Sequence, residues 1–126
     1  MKKNLIFITI ITVLTLLVAC GGTEVEADYQ TIELDEVLTK QDEGFTIVDV
    51  REVNEYEAGH IDGAINKPLS EIREGNFESL VDDEPYVIIC KTGNRSQQAS
   101  DLLSKQGFDV INVSEGMSSW QGDIVQ

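Results

Sequence analysis

The stretch VIICKTGNRSQQASDLL, residues 87–103, places a cysteine, a glycine and an arginine where an apolar run gives way to a helical pattern. Cys90 closes the run, and Lys91, Thr92, Gly93 and Asn94 separate it from Arg95 and Ser96. A loop of this length bends back beneath the sulfur, with Gly93 supplying a backbone conformation that other residues resist. Its amide hydrogens then point inward and form a nest for negative charge. The helix beginning near Ser96 adds the positive end of a dipole, and Lys91 and Arg95 add full charges. Each feature favours thiolate over thiol, which lowers the cysteine pKa and makes the sulfur nucleophilic at neutral pH. The competing reading is a small buried cysteine before an ordinary strand-to-helix turn, since cysteine is common in buried strands. The segment by itself leaves both open.

The surrounding elements must put that loop on an edge. From Tyr29 onward, short apolar runs alternate with amphipathic segments. Residues 31–34 read as a short strand, followed by a helix through Val37 and Leu38. Residues 45–50 are aromatic and β-branched, a buried strand ending in polar Asp49 and Arg51. Residues 53–58 form a short helix stopped by Gly59, and residues 61–65 lead to a brief strand. Pro68 forbids a central strand position there. Short helical pieces fill residues 69–80 around a break at Gly75 and Asn76. Pro85 introduces Tyr86-Val87-Ile88-Ile89, a run suited to a parallel strand covered on both faces. Ala99, Leu102 and Leu103 fall on one helical stripe; Gly107 ends that helix, and residues 108–113 supply the last strand. Strands alternating with helices predict one α/β domain of about 100 residues around a parallel sheet. Ligands of such sheets bind beyond the carboxyl ends of the strands, where Cys90 lies.

The first 28 residues read differently. MKKN is a cationic start, and residues 5–18 are apolar apart from three threonines. The run is short of the roughly 20 residues that span a bilayer, and its pattern is that of an export signal. Leu17-Val18-Ala19-Cys20 resembles the lipobox of bacterial lipoproteins, which implies a signal peptide at 1–19 and lipidation at Cys20. Residues 20–28 are then the lipidated cysteine and a small, acidic tether, and residues 29–126 the domain. Acyl chains would hold the protein on the extracytoplasmic face of a bacterial cell membrane. Without Lys2 and Lys3, seven basic side chains face 23 acidic ones, a formal charge of −16. That excess argues against nucleic acid and against an electrostatic grip on anionic lipid.

With Cys20 lipidated, Cys90 has no partner for a disulfide or a dithiol pair. One thiol and one histidine lack the spacing of a zinc site, so no metal is expected. No cofactor is expected either.

Three segments sharpen the choice. CKTGNRS resembles the Cys-x-x-Gly-x-Arg-Ser active-site loop of single-domain rhodanese-type sulfurtransferases. IVDVREVNEYEAGHIDGAINKPL and VINVSEGMSSW resemble that family's preceding and closing segments, with agreement from Phe45 to Trp120. The resemblance implies a doubly wound rhodanese-like domain with a central parallel sheet flanked by helices. It also implies a nucleophilic Cys90 that takes sulfur from a small anionic donor such as thiosulfate. The resulting persulfide would pass its outer sulfur to an external thiol or to cyanide. Loop amides would stabilise the persulfide, and Lys91 and Arg95 would attract and orient the donor. Thr92 and Ser96 either donate hydrogen bonds to the persulfide or cap the helix. Asp49 and Arg51 take supporting roles beside the loop, and His60 a structural one. Glu55 and Tyr56 belong to a helix surface and its packing face, and Trp120 to the core.

Two other readings remain. One is a rhodanese module without catalysis that carries sulfur or binds a partner. The other is a phosphatase or arsenate-handling enzyme, and loop length weighs against it. Rhodanese-fold phosphatases of the cell-cycle type place five residues between cysteine and arginine, whereas four stand here. Two departures from the family stand out: Glu115 replaces a glycine before Gly116-Met117, and Lys67, expected to be exposed, replaces an apolar residue before Pro68.

Overall fold

The computed structural model describes residues 25–126. The expected signal peptide, Cys20 and the first part of the tether lie outside the described residues. Five strands form one parallel sheet: β1 (Gln30–Ile32), β2 (Thr46–Asp49), β3 (Ile65–Asn66), β4 (Pro85–Cys90) and β5 (Asp109–Gly116). Their spatial order is β1-β5-β4-β2-β3, which puts β4 in the middle. Four helices cover the faces: α1 (Val37–Asp42), α2 (Val53–Glu57), α3 (Leu69–Arg73) and α4 (Asn94–Lys105). Short 3-10 turns at Leu34–Glu36 and Met117–Ser119 follow β1 and β5.

The apolar run of β4 is continuous because helices cover both its faces, and residues 86–90 are all buried. Side chains alternate across the sheet. Tyr86, Ile88 and Cys90 join Val48 and Val50 under Leu69 and Ile72 of α3 and Ala99 and Leu103 of α4. Val87 and Ile89 join Ile47, Ile111 and Val113 on the opposite face, against Val37 of α1 and the segment holding Ile61 and Ala64. The predicted stripe of α4 narrows to Ala99 and Leu103, completed by buried Ser96 and Ser100; Leu102 is only partly covered. This is the doubly wound α/β architecture, a central parallel sheet flanked by helices, that the sequence predicts.

Three expectations change. The last strand runs on to Gly116, because after a register shift between Ile88 and Cys90 the pairing resumes at Cys90 and Gly116. Lys67 is 3% exposed instead of open to solvent. Its backbone N–H donates to Asp49 O at 3.0 Å, which pins the residue beside β2. The ammonium reaches Glu71 Oε2 at 2.9 Å, so the stem is covered while the head stays paired. Trp120 is only half-buried: its indole N–H donates to Asp123 O at 3.1 Å, and the ring forms a wall at the surface.

Candidate active site

β4 carries Cys90 to the carboxyl edge of the sheet, and α4 starts four residues later. The turn between them requires glycine at position 93. Its φ is +98°, and a Cβ there would sit 2.2 Å from Ser114 O. Gly116 forms the other side of the clamp: a Cβ would lie 2.3 Å from Cys90 O and 2.4 Å from the Lys91 carbonyl carbon. Ser118 then donates to Lys91 O from its amide at 3.0 Å and from its hydroxyl at 2.8 Å. The loop is thus held between its own strand and residues 114–118.

Inside this clamp the Gly93 amide donates to Cys90 Sγ at 3.1 Å. Burial pushes the Cys90 thiol up, but hydrogen bonds from the Ser96 hydroxyl and from the amides of Ser96, Gly93 and Thr92 outweigh it. The thiol therefore lies below its usual range. The Ser96 hydroxyl also has Gly93 O at 3.1 Å and Val113 O at 3.3 Å. It has one proton to give, and an anionic sulfur is the strongest of these acceptors. Ser96 thus ties α4 to the loop through a carbonyl or serves the sulfur, one at a time, whereas Lys91, Thr92 and Asn94 are exposed on the rim.

Arg95 is differently placed from the expected donor-binding role. Its guanidinium makes a two-pronged bond to Glu55, at 2.7 Å and 2.9 Å. The same carboxylate accepts the Glu52 amide at 3.0 Å, which fixes it at the start of α2 before Arg95 meets it. Hydrogen bonding from Arg95, more than the Glu52 amide or charge alone, holds the Glu55 carboxyl down to about 2 against the opposing effect of burial. Asp49 and Arg51 form a second, buried pair at 2.7 Å, and Arg51 also donates to Gly59 O at 2.7 Å. Asn66 Nδ2 donates to the carbonyls of both Asp49 and Arg51 at 2.9 Å, fixing the end of β2. Among the described residues, Lys91 is then the loop cation without an ion-pair partner. It lines a shallow cavity of about 290 Å³ with Arg51, Glu55, Met117 and Ser118. His60 stacks on Tyr56 at 3.7 Å and meets Tyr56 O through Nδ1 at 2.8 Å.

An amide-lined loop around a lone thiol can stabilise an anionic sulfur and an anion bound to it. A family model described as a rhodanese-like domain matches residues 33–123. The chain belongs to the rhodanese-like family. The chain is 48% identical over 82 residues to a Bacillus subtilis protein named as a sulfur carrier, covering 64% of this chain and 44% of that one. It thus spans less than half the length of that relative. To a thiosulfate sulfurtransferase of Shewanella oneidensis it is 42% identical over 76 residues, covering 59% of this chain and 73% of the relative. A solved rhodanese-related protein from Thermoplasma volcanium superposes with a TM-score of 0.69 at 36% identity, covering 77% of this chain and 98% of that one.

Two parts of this rhodanese-like site escaped the sequence reading. Glu55 was placed on a helix surface, yet it is the partner of Arg95. The signal lay in the pairing of Glu52 with Glu55, a capping-box spacing that fixes a carboxylate at a helix start. The second is the 114–118 segment, whose Gly116 was noted only for its neighbour Glu115.

Proposed function

We propose that this rhodanese-like domain is a sulfurtransferase that carries sulfane sulfur as a persulfide on Cys90. The observation that carries this reading is the set of donors around one thiol: Gly93 N–H at 3.1 Å from Sγ, with the Thr92 and Ser96 amides beside it. In the first half-reaction the Cys90 thiolate attacks the outer sulfur of thiosulfate. A new S–S bond forms at Cys90, the old one breaks, and sulfite leaves with the electron pair. In the second half an acceptor nucleophile attacks the outer persulfide sulfur, and Cys90 departs as thiolate. A thiolate attacks without a general base, and the hydrogen bonds that lower the Cys90 thiol favour that form. Cys90 is fully buried at the base of the loop, and Lys91 and Thr92 stand exposed on the rim that a donor meets first.

The test is direct. The protein is incubated with thiosulfate and the Cys90 peptide is weighed; a gain of one sulfur atom, discharged by cyanide as thiocyanate, is expected. No gain and no thiocyanate would sink the reading, and turnover of an aryl phosphate would replace it with the phosphatase alternative. A persulfide that forms but passes to no acceptor would support a sulfur carrier.

Lys91 supplies the unpaired charge for the donor. Lys91→Gln is expected to raise the KM for thiosulfate roughly two- to fivefold with little change in kcat, the range of an exposed ion pair. Steady-state assays at rising ionic strength check it, because the difference between wild type and variant shrinks as salt screens the charge.

The lipid anchor at Cys20 and an extracytoplasmic location belong to the same proposal. The described residues are compatible with it: Asp28 bonds Ser104 Oγ through its N–H and carbonyl at 2.8 Å and 3.1 Å. Ser104 lies at the end of α4 remote from the Cys90 loop, so the segment before Asp28 joins the domain away from that loop. Cells fed a clickable fatty acid label the wild-type protein, and Cys20→Ala removes the label and releases the protein from membranes. An unlabelled wild-type protein overturns the anchor.

A further inference from the structure

Beside the Cys90 loop lies a groove that the sulfur chemistry leaves unused. It encloses about 480 Å³ at the carboxyl edge of β1 and β5. Leu34, Leu38 and the half-buried Trp120 give it apolar walls, and Glu33, Asp35 and Glu115 stand around it. No lysine or arginine lines it, and among the described residues none of the three carboxylates belongs to a salt bridge. Leu38 is 45% exposed, an apolar side chain without full cover.

The groove is contiguous with the active-site loop. Glu115 Cα lies 3.5 Å from the point a Cβ on Gly93 would occupy, and the next residue, Gly116, pairs with Cys90. Residues 115–118 therefore form a wall between the two, with Glu115 lining the groove and Met117 and Ser118 lining the cavity beside Lys91. The two sides of that wall differ in charge: the loop side presents unpaired Lys91, the groove side three carboxylates. A two-step transfer uses two substrates in turn, and this arrangement gives each its own electrostatic address.

We propose that the groove docks a basic and apolar peptide segment of the protein that accepts the sulfur. The inference rests on the sulfur-transfer reading and names its second substrate. Lysine or arginine side chains of the segment meet Glu33, Asp35 and Glu115, and its apolar side chains meet Leu34, Leu38 and Trp120. The exposed indole face adds attraction for a cation. A thiolate on the docked protein attacks the outer sulfur of the Cys90 persulfide. The new S–S bond forms on the acceptor, the Cys90 S–S bond breaks, and Cys90 keeps the electron pair as thiolate. Acidic thiols are excluded twice, by these carboxylates and by the overall negative charge.

The experiment compares two synthetic peptides, each with one terminal cysteine followed by leucines alternating with lysine or with glutamate. Cys90 is loaded with thiosulfate, excess donor is removed, and the rate of sulfur loss to each peptide is measured. The lysine peptide is expected to react about tenfold faster. Asp35→Asn with Glu115→Gln is expected to cut that preference about fivefold. Asp82→Asn with Asp83→Asn removes as much charge ahead of β4, at the opposite edge of the sheet, and leaves the preference unchanged. A serine version of the lysine peptide should shift the fluorescence of Trp120, the only tryptophan, and the Asp35/Glu115 variant should weaken that shift. This arm needs no persulfide, so failure of Cys90 to load overturns the sulfur-transfer reading and leaves the groove measured. Equal rates for the two peptides, equal losses in the two double variants, or no fluorescence shift overturns the docking. Competition by tetramethylammonium as effective as the peptide reassigns the groove to a small cation and also overturns it.

Discussion

Cys90→Ser is expected to abolish sulfur transfer, by at least about a thousandfold, while leaving the fold intact. The substitution exchanges sulfur for oxygen at a site that keeps its amide donors and its Ser96 hydroxyl. An alcohol in that cradle remains protonated near neutral pH, so no anion forms for the loop to hold. The size change is small and the site is already polar, so thermal unfolding of the variant should follow the wild type. Wild type and variant also separate in pH dependence. The Cys90 thiol is held below its ordinary range, so thiolate is present above that lowered pKa and disappears as pH falls through it. Thiolate absorbance, taken as wild type minus Cys90→Ser, should therefore rise with a midpoint below that of a free cysteine. The rate of persulfide formation should follow the same curve. The linked stability has the same sign: it is present above the unfolded thiol's pKa and is lost as pH falls through the folded one. A midpoint at or above the free-thiol value would remove the electrostatic argument for the loop.

What the sequence disclosed and what it withheld divide along physical lines. The run at residues 86–89 announced a doubly covered strand because burial on both faces leaves no polar alternation to read. Cys90, Gly93 and Ser96 were legible because their relation is local: a strand end, a tight turn and a helix start within seven residues. Glu55 was not, because its meeting with Arg95 joins residues 40 apart and depends on where α2 packs. Burial of Lys67 depends on Glu71 one turn onward and on the Asp49 carbonyl across the chain. An i,i+4 acid was visible, but covering the stem required tertiary packing. Trp120 was assigned to the core on type alone. A large ring with a polar N–H can instead become a surface wall, which the carbonyl of Asp123 favours by accepting that N–H. Arg95 shows the same limit: its charge is legible in the loop, but its two-pronged bond to Glu55 depends on how α2 packs.

Gly93→Ala is expected to reduce sulfur transfer about a hundredfold, the scale of losing one preorganised donor to a reacting anion. It should also destabilise the domain by about 2–4 kcal/mol. Two costs add in the folded state. A φ of +98° strains any residue with a Cβ, by roughly 1 kcal/mol. The added carbon would also stand 2.2 Å from Ser114 O, a backbone atom that cannot rotate away. Relieving that contact moves either β5 or the loop, at about 1–3 kcal/mol for forced repacking. Moving the loop withdraws the Gly93 amide from Sγ and disturbs Ser96, whose hydroxyl bonds the Gly93 carbonyl. Moving β5 instead shifts Ser118, which holds the Lys91 carbonyl from the other side. Either way the thiol loses donors, so its pKa should rise toward the ordinary range. Denaturant unfolding gives the stability change, and thiolate absorbance on the folded variant gives the pKa. The second measurement decides the role of the loop: a destabilised variant with an unshifted thiol and near-normal turnover would make Gly93 a packing residue only. A thiol shifted upward in a variant that is still folded ties the backbone conformation at position 93 to the reactivity of Cys90.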